Sequence, residues 1–219
     1  TPEARSTEEF ALSPAGALAA AIGRAVSSRG QMSPRQYFRV VLELLERGPC
    51  NLLVVGAGRD TELYVRANAG GRTVVLERHA RWIDEVRHLD CEVVQVAYTT
   101  RIADGPQEPC SLPEGLPAGL LDEKWDVILI DGPEGNRGES PGRQQSVLLA
   151  RELAHTGTTV FLHDYDRPAE RAVASRYLKA ADERHGGSPA LAVFQYRNTA
   201  EGAPAPDMRA DLYGGIRCR

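Results

Sequence analysis

From position 51 to position 164 the chain alternates short apolar runs with helix-length stretches. The runs are LLVVG at 52–56, RTVVLE at 72–77, EVVQVA at 92–97, WDVILID at 125–131 and TTVFLHD at 158–164. Most are too continuously apolar for a sheet with one wet face, so they predict buried parallel strands. The stretches 60–68, 80–89, 143–155 and 168–184 supply the crossover helices that parallel neighbours require. Ahead of the first run, Ser33-Pro34 offers an N-cap and a first-turn proline. Tyr37, Phe38, Val41, Leu44 and Leu45 form an apolar face, and Gly48-Pro49 ends that helix. The pattern predicts a doubly wound α/β sheet over residues 33–198. A polar tail with an alanine-rich helix (1–32) precedes it and an unpatterned tail (199–219) follows.

In such a sheet ligands bind beyond the carboxyl ends of the strands, so the residues after each run are the chemical candidates. Gly56 and Gly58 follow the first run and allow a tight turn, but position 61 is Thr61 where the dinucleotide fingerprint has a third glycine. Glu77 closes the second run at the distance from the turn where an acid accepts hydrogen bonds from both ribose hydroxyls. That placement serves NAD and S-adenosylmethionine (SAM) alike. Asp131-Gly132 ends the fourth run and His163-Asp164 the fifth. Two carboxylates and an imidazole there suit proton transfer, or a divalent metal that the spacing admits without requiring. Asp166-Arg167-Pro168 also reads as the cap of the next helix.

Composition narrows the class only a little. Apolar content of 42%, charged content of 26% and a net charge of −4 describe an ordinary globular chain and no nucleic-acid partner. Arginines nonetheless recur in loops, at 59, 101, 137, 143 and 167, which permits a local anion site. Cys50, Cys91, Cys110 and Cys218 lie far apart, without zinc spacing, and three pairings of them are open. The loop at 101–122, with four prolines and three glycines, breaks the rhythm and has the length of a functional or mobile loop.

Taken in order, PCNLLVVGAGRD, GGRTVVLERHARWI, VAYTTR, WDVILIDGPEGNRGESPGR and VFLHDYDR resemble the plant polysaccharide methyltransferase family that includes glucuronoxylan 4-O-methyltransferases. The most specific block is DGPEGNRGESPGR, with Asp131, Gly132, Pro133, Gly135, Glu139, Pro141, Gly142 and Arg143 on the family pattern. His163-Asp164, Glu77, Trp82, Cys50 and Cys110 match as well. Arg59 stands where a His is usual, and Arg78 and His79 replace acids. The resemblance implies a Rossmann-like, SAM-dependent methyltransferase fold and methyl transfer from SAM to a sugar hydroxyl. The leading acceptor is the 4-hydroxyl of glucuronic acid on glucuronoxylan, with an arabinogalactan glucuronic acid close behind.

On this basis Gly56, Gly58, Glu77, Asp131 and Gly132 are expected to hold SAM. Asp164 or His163 is expected to act as base near Asp131, and Glu134, Arg137, Arg143 and Arg167 to contact a uronate-bearing glycan. Family likeness also points to the Golgi lumen, to cell-wall polysaccharide biosynthesis, and to membrane contact only through an anchor absent from this chain. Two other readings stay open: a non-catalytic scaffold of the same fold, and an NAD-dependent sugar-modifying enzyme.

Overall fold

A computed structural model describes residues 20–24, 27, 31–105 and 111–197. The expectations placed on most of the N-terminal stretch, on Cys110 and Cys218, and on the C-terminal tail lie outside those residues. Within them the order is α1 (Pro34–Arg47), β1 (Asn51–Val55), α2 (Thr61–Ala67), β2 (Arg72–Glu77), α3 (Ala80–Val86), β3 (Glu92–Gln95), β4 (Val127–Ile130), α4 (Gln144–Leu153), β5 (Thr159–His163), α5 (Pro168–Tyr177), β6 (Glu183–His185) and β7 (Leu191–Gln195). The strands form one sheet in the order β3-β2-β1-β4-β5-β7-β6. Strands β1 to β5 are parallel, and β7 pairs antiparallel with both β5 and β6.

Strands β1, β2, β4 and β5 bury both faces, which is why they read as continuous apolar runs, whereas β3 at the edge is half-exposed. Leu53, Val55, Ile128, Ile130, Val160 and Leu162 point to one side, where Val147 and Leu149 of α4 and Val173 of α5 cover them. Their alternates Leu52, Val54, Val127, Leu129 and Phe161 point to the other side, against Tyr37, Val40, Val41 and Leu44 of α1 and Leu63 and Tyr64 of α2. Burying each such side chain contributes about 1.5–3 kcal/mol, so the two layers supply the main driving force.

Helix α1 starts as its sequence indicates. Ser33 and Gln36 form a reciprocal capping box, with Pro34 in the first turn, and Gly48 ends the helix at φ 72°. Its buried face is Tyr37, Val40, Val41 and Leu44, whereas Phe38 and Leu45 of the expected apolar face are exposed. A glutamate takes part of that face instead. Glu43 accepts hydrogen bonds from Arg39, Arg47 and Thr159 Oγ1, tying the helix to β5.

The largest departure from the expected pattern follows α5. A helix is expected through residue 184, but α5 stops at Tyr177, Leu178 is extended, and the chain turns into the β6–β7 hairpin. The hairpin is held by tertiary contacts. Asp182 Oδ2 accepts from Gln195 N at 2.6 Å, and Glu183 pairs with Arg39 of α1. The long loop is likewise tied down where it is described. Ile102 and Ala103 donate to the carbonyls of Ser140 and Gly138, joining this loop to the one after β4.

Candidate active site

Strand order reverses between β1 and β4, and a doubly wound sheet opens its ligand crevice at such a point. A cavity of about 450 Å³ lies there. Its floor is glycine on both sides. A Cβ on Gly56, where φ is 100°, would stand 2.7 Å from Gly132 N, and one on Gly132 would stand 2.6 Å from Gly56 Cα. The two strand ends therefore meet only because neither bears a side chain. Thr61, in place of a third glycine, locks the turn, since its Oγ1 accepts from Gly58 N at 2.9 Å.

Glu77 closes the β2 side of the cavity and is buried. Its Oε2 accepts from Ala57 N at 2.8 Å, and its Oε1 from Arg78 N and His79 N at 2.7 Å. These backbone donors fix the carboxylate in the cavity wall, and Oε2 keeps lone-pair capacity for a ligand hydroxyl. Trp82 of α3 lines the same side.

At the opposite end, β4 and β5 deliver Asp131, His163 and Asp164. His163 Nδ1 lies 2.7 Å from Asp131 Oδ1, and the ring is fully buried with Nε2 lacking a hydrogen-bond partner among the described residues. Asp131 and Asp164 face the cavity, whereas His163 stands behind Asp131. Arg143, immediately before α4, is also buried. Its guanidinium donates to the Asp131 and His163 carbonyls, to Asp131 Oδ1 at 3.0 Å, and reaches Asp164 Oδ2 at 2.6 Å. Arg167 adds a contact of 3.0 Å to the same Asp164 oxygen.

Burial alone would raise the Asp131 carboxyl. The His163 hydrogen bond and the charges of His163, Arg143 and Arg167 outweigh it and hold the group below its ordinary range. Asp131 is thus an anion facing the cavity. Asp164 holds φ 60°, rare for a residue with a side chain, and this strained turn aims its carboxylate at the arginines. One donor atom each from Asp131, His163 and Asp164 lies within 4.8 Å of the others, a set that fits a divalent ion. Arg143 occupies that corner with its own positive charge.

The residues expected to contact a glycan separate. Glu134, Arg143 and Arg167 line the cavity, but Arg137 is not part of its lining. Arg143 is taken up by the two aspartates, and Arg167 is the more exposed of the pair, at 31% against 2%. Glu134 reaches Arg78 at 2.6 Å and His79 at 3.4 Å, so the loop after β4 is clasped to the loop after β2. This pairing gives Arg78 and His79, which follow Glu77 in the turn after β2, a structural use. Sequence reasoning passed over Asp60, which lines the cavity beside the glycine turn. It opens the helix-length stretch 60–68, and it makes no side-chain capping bond.

Among solved structures, the fold is shared with cofactor-bound Rv0187 from MTB (TM-score 0.51, 18% identity, 86% of this chain and 94% of that one). It is shared too with precorrin-6y C5,15-methyltransferase from Geobacter metallireducens GS-15 (TM-score 0.50, 12% identity, 78% and 92%). The architecture is accordingly the Rossmann-like one of SAM-dependent methyltransferases. Among curated proteins of Arabidopsis thaliana, glucuronoxylan 4-O-methyltransferase 2 is 33% identical over 178 residues, 68% of this chain and 61% of that protein. Arabinogalactan O-methyltransferase 2 is 35% identical over 165 residues, 62% and 57%. Protein IRX15-LIKE is 34% identical over 161 residues, 59% and 50%. The chain thus spans between half and three fifths of the length of these relatives. A sequence model of one family covers residues 37–108 and 106–188, which takes in every cavity-lining residue except Gln31, and the chain belongs to that family, IRX15/IRX15L/GXM.

Proposed function

We propose that the chain is a SAM-dependent O-methyltransferase acting on a uronic-acid-bearing polysaccharide, with the 4-hydroxyl of glucuronic acid on glucuronoxylan as leading acceptor. The observation that carries this reading is the cavity itself: a side-chain-free floor, a backbone-anchored acid on one wall and two arginine-held carboxylates at the far end. The names of relatives that methylate glucuronoxylan and arabinogalactan support the choice of acceptor.

The residues fit the cofactor. Glu77 suits the ribose hydroxyls, and the Gly56–Gly132 floor admits a ligand against backbone. When bound, SAM supplies an electrophilic methyl group on a cationic sulfur. Asp131, ionised and facing the cavity, complements positive charge there, while His163 and Arg143 fix its orientation. Asp164, rather than the enclosed His163, is the group placed to take the acceptor proton as the oxygen attacks. Arg167, reaching into the cavity beside it, suits a uronate carboxylate through its guanidinium fork.

Labelled SAM offered with glucuronoxylan, arabinogalactan and short uronic acid oligosaccharides tests the reading, with the methylated position read by NMR. Transfer to a glucuronic acid hydroxyl is expected. Asp164→Asn should lower turnover by about a hundredfold or more while SAM still binds. Transfer to none of these acceptors, or full turnover in Asp164→Asn, contradicts the assignment.

A second use of the same corner has its own support in the donor set. Asp131, His163 and Asp164 would hold a divalent ion, which supplies Lewis-acid polarisation of the acceptor hydroxyl. Transfer abolished by EDTA and restored by added cation would identify it. The reading extends to a Golgi-lumen address, which imaging of the tagged protein tests.

A further inference from the structure

Asp60 has none of the roles assigned above, yet it stands in the cavity wall and is only 9% exposed. Its Oδ2 accepts hydrogen bonds from Tyr37 Oη at 3.1 Å and Tyr64 Oη at 3.2 Å. Its Oδ1 lies so close to Gly58 that a Cβ there would come within 2.7 Å. Burial and the Asp60 carboxylate push both phenols well above their ordinary range, so they stay neutral donors.

The acid is left electrostatically one-sided. Its partners are two neutral phenols and its own backbone N–H, and the charge that bears on it most is that of Asp131, another carboxylate. Burial and the Asp131 charge push the Asp60 carboxyl up to about 6, against the lowering effect of those hydrogen bonds. Asp131, by contrast, has Arg143 and His163. Buried carboxylates ordinarily have a positive partner, and Asp60 shows none among the described residues. The cavity is therefore built with an acid, held in one orientation by two phenols, that a cation entering beside the glycine turn would complete.

We infer that Asp60 receives the ammonium group of a ligand with an amino-acid portion, which on the proposed function, and resting on it, is the methionyl part of SAM. Only the ionised carboxylate makes this ion pair. Below about pH 6 the ligand must displace a proton, so affinity rises with pH through that region and levels off above it. The groups facing Asp60 are Tyr37 from α1, Tyr64 from α2 and Asp131 after β4. In the same cavity stand Arg59, Glu77, His79, Arg81, Glu134 and the Arg143–Asp164–Arg167 group. The Asp60 contribution is the part of the pH dependence that its substitution removes.

Calorimetry with three probes separates the possibilities: SAM, S-adenosylhomocysteine, which keeps the ammonium without the sulfonium, and 5′-methylthioadenosine, which lacks the amino-acid portion. At about pH 7.5, Asp60→Asn should weaken SAM and S-adenosylhomocysteine by about ten- to hundredfold and change 5′-methylthioadenosine by less than about twofold. The same substitution should flatten the affinity change of S-adenosylhomocysteine between about pH 5 and about pH 7. Tyr37→Phe, which keeps the acid and removes one donor, should move that midpoint to higher pH. Undiminished S-adenosylhomocysteine binding in Asp60→Asn, equal weakening of all three probes, or an unmoved midpoint in Tyr37→Phe overturns the inference. Wild-type chain that binds neither SAM nor S-adenosylhomocysteine overturns the cofactor reading itself, a result distinguishable from the others.

Discussion

Arg143 joins groups that the strand ends would otherwise leave in conflict. Asp131 and Asp164 both end in a largely water-excluded corner, and one guanidinium lies against both, with contacts of 3.0 and 2.6 Å. Removing one partner from such a group leaves uncompensated charge, so Arg143→Ala should cost about 3–5 kcal/mol of stability, measured by denaturant unfolding. Arg143→Lys should recover only part, because an ammonium lacks the planar fork. A loss below about 1 kcal/mol in Arg143→Ala would show that the corner is hydrated and its charges screened. Glu77, Asp131, His163 and Asp164 were legible as single residues because each ends an apolar run, and topology places strand ends at the crevice. Asp60 was not, because it opens the helix-length stretch 60–68 and ends no apolar run. Its burial depends on Tyr37, 23 positions away, which no local pattern reveals.

At the scale of elements, the site depends on how closely β1 and β4 approach at their carboxyl ends. Gly56→Ala adds a Cβ both at positive φ and against Gly132, whereas Gly132→Ala adds the contact alone. The first should therefore destabilise more, by about 2 kcal/mol or more, and both should lower the melting temperature in a thermal unfolding series. Equal stability of Gly56→Ala and wild type would mean the strand ends can part without penalty. Strands β1, β2, β4 and β5 were readable because a strand buried on both faces shows a continuous apolar run. The β6–β7 hairpin was not. Residues 178–184 contain helix-forming Lys, Ala and Glu, and it is contact of Glu183 with Arg39 and of Asp182 with Gln195 that selects the turn and strand. Phe38 and Leu45 were assigned to the buried face of α1 on spacing alone, while Glu43 with its arginines and Thr159 occupies part of that side.

At the scale of the whole molecule, a seven-stranded sheet with helices on both faces brings Glu77 of β2 and the segments that follow β1, β2, β4 and β5 to one cavity. Separate loops are joined around it, by Glu134 to Arg78 and His79 and by Ile102 and Ala103 to the loop after β4. Among the described residues no helix is long and apolar enough to cross a membrane. On the proposed function, this cavity is a SAM site organised by Glu77. That assignment is tested most directly by calorimetric titration of SAM into the wild-type chain and into Glu77→Ala. Saturable binding to wild type is expected, with at least about a tenfold loss in the variant, the effect of removing hydrogen bonds to a charged acceptor. Equal affinity in the two proteins, or no binding to wild type at millimolar SAM, would contradict it.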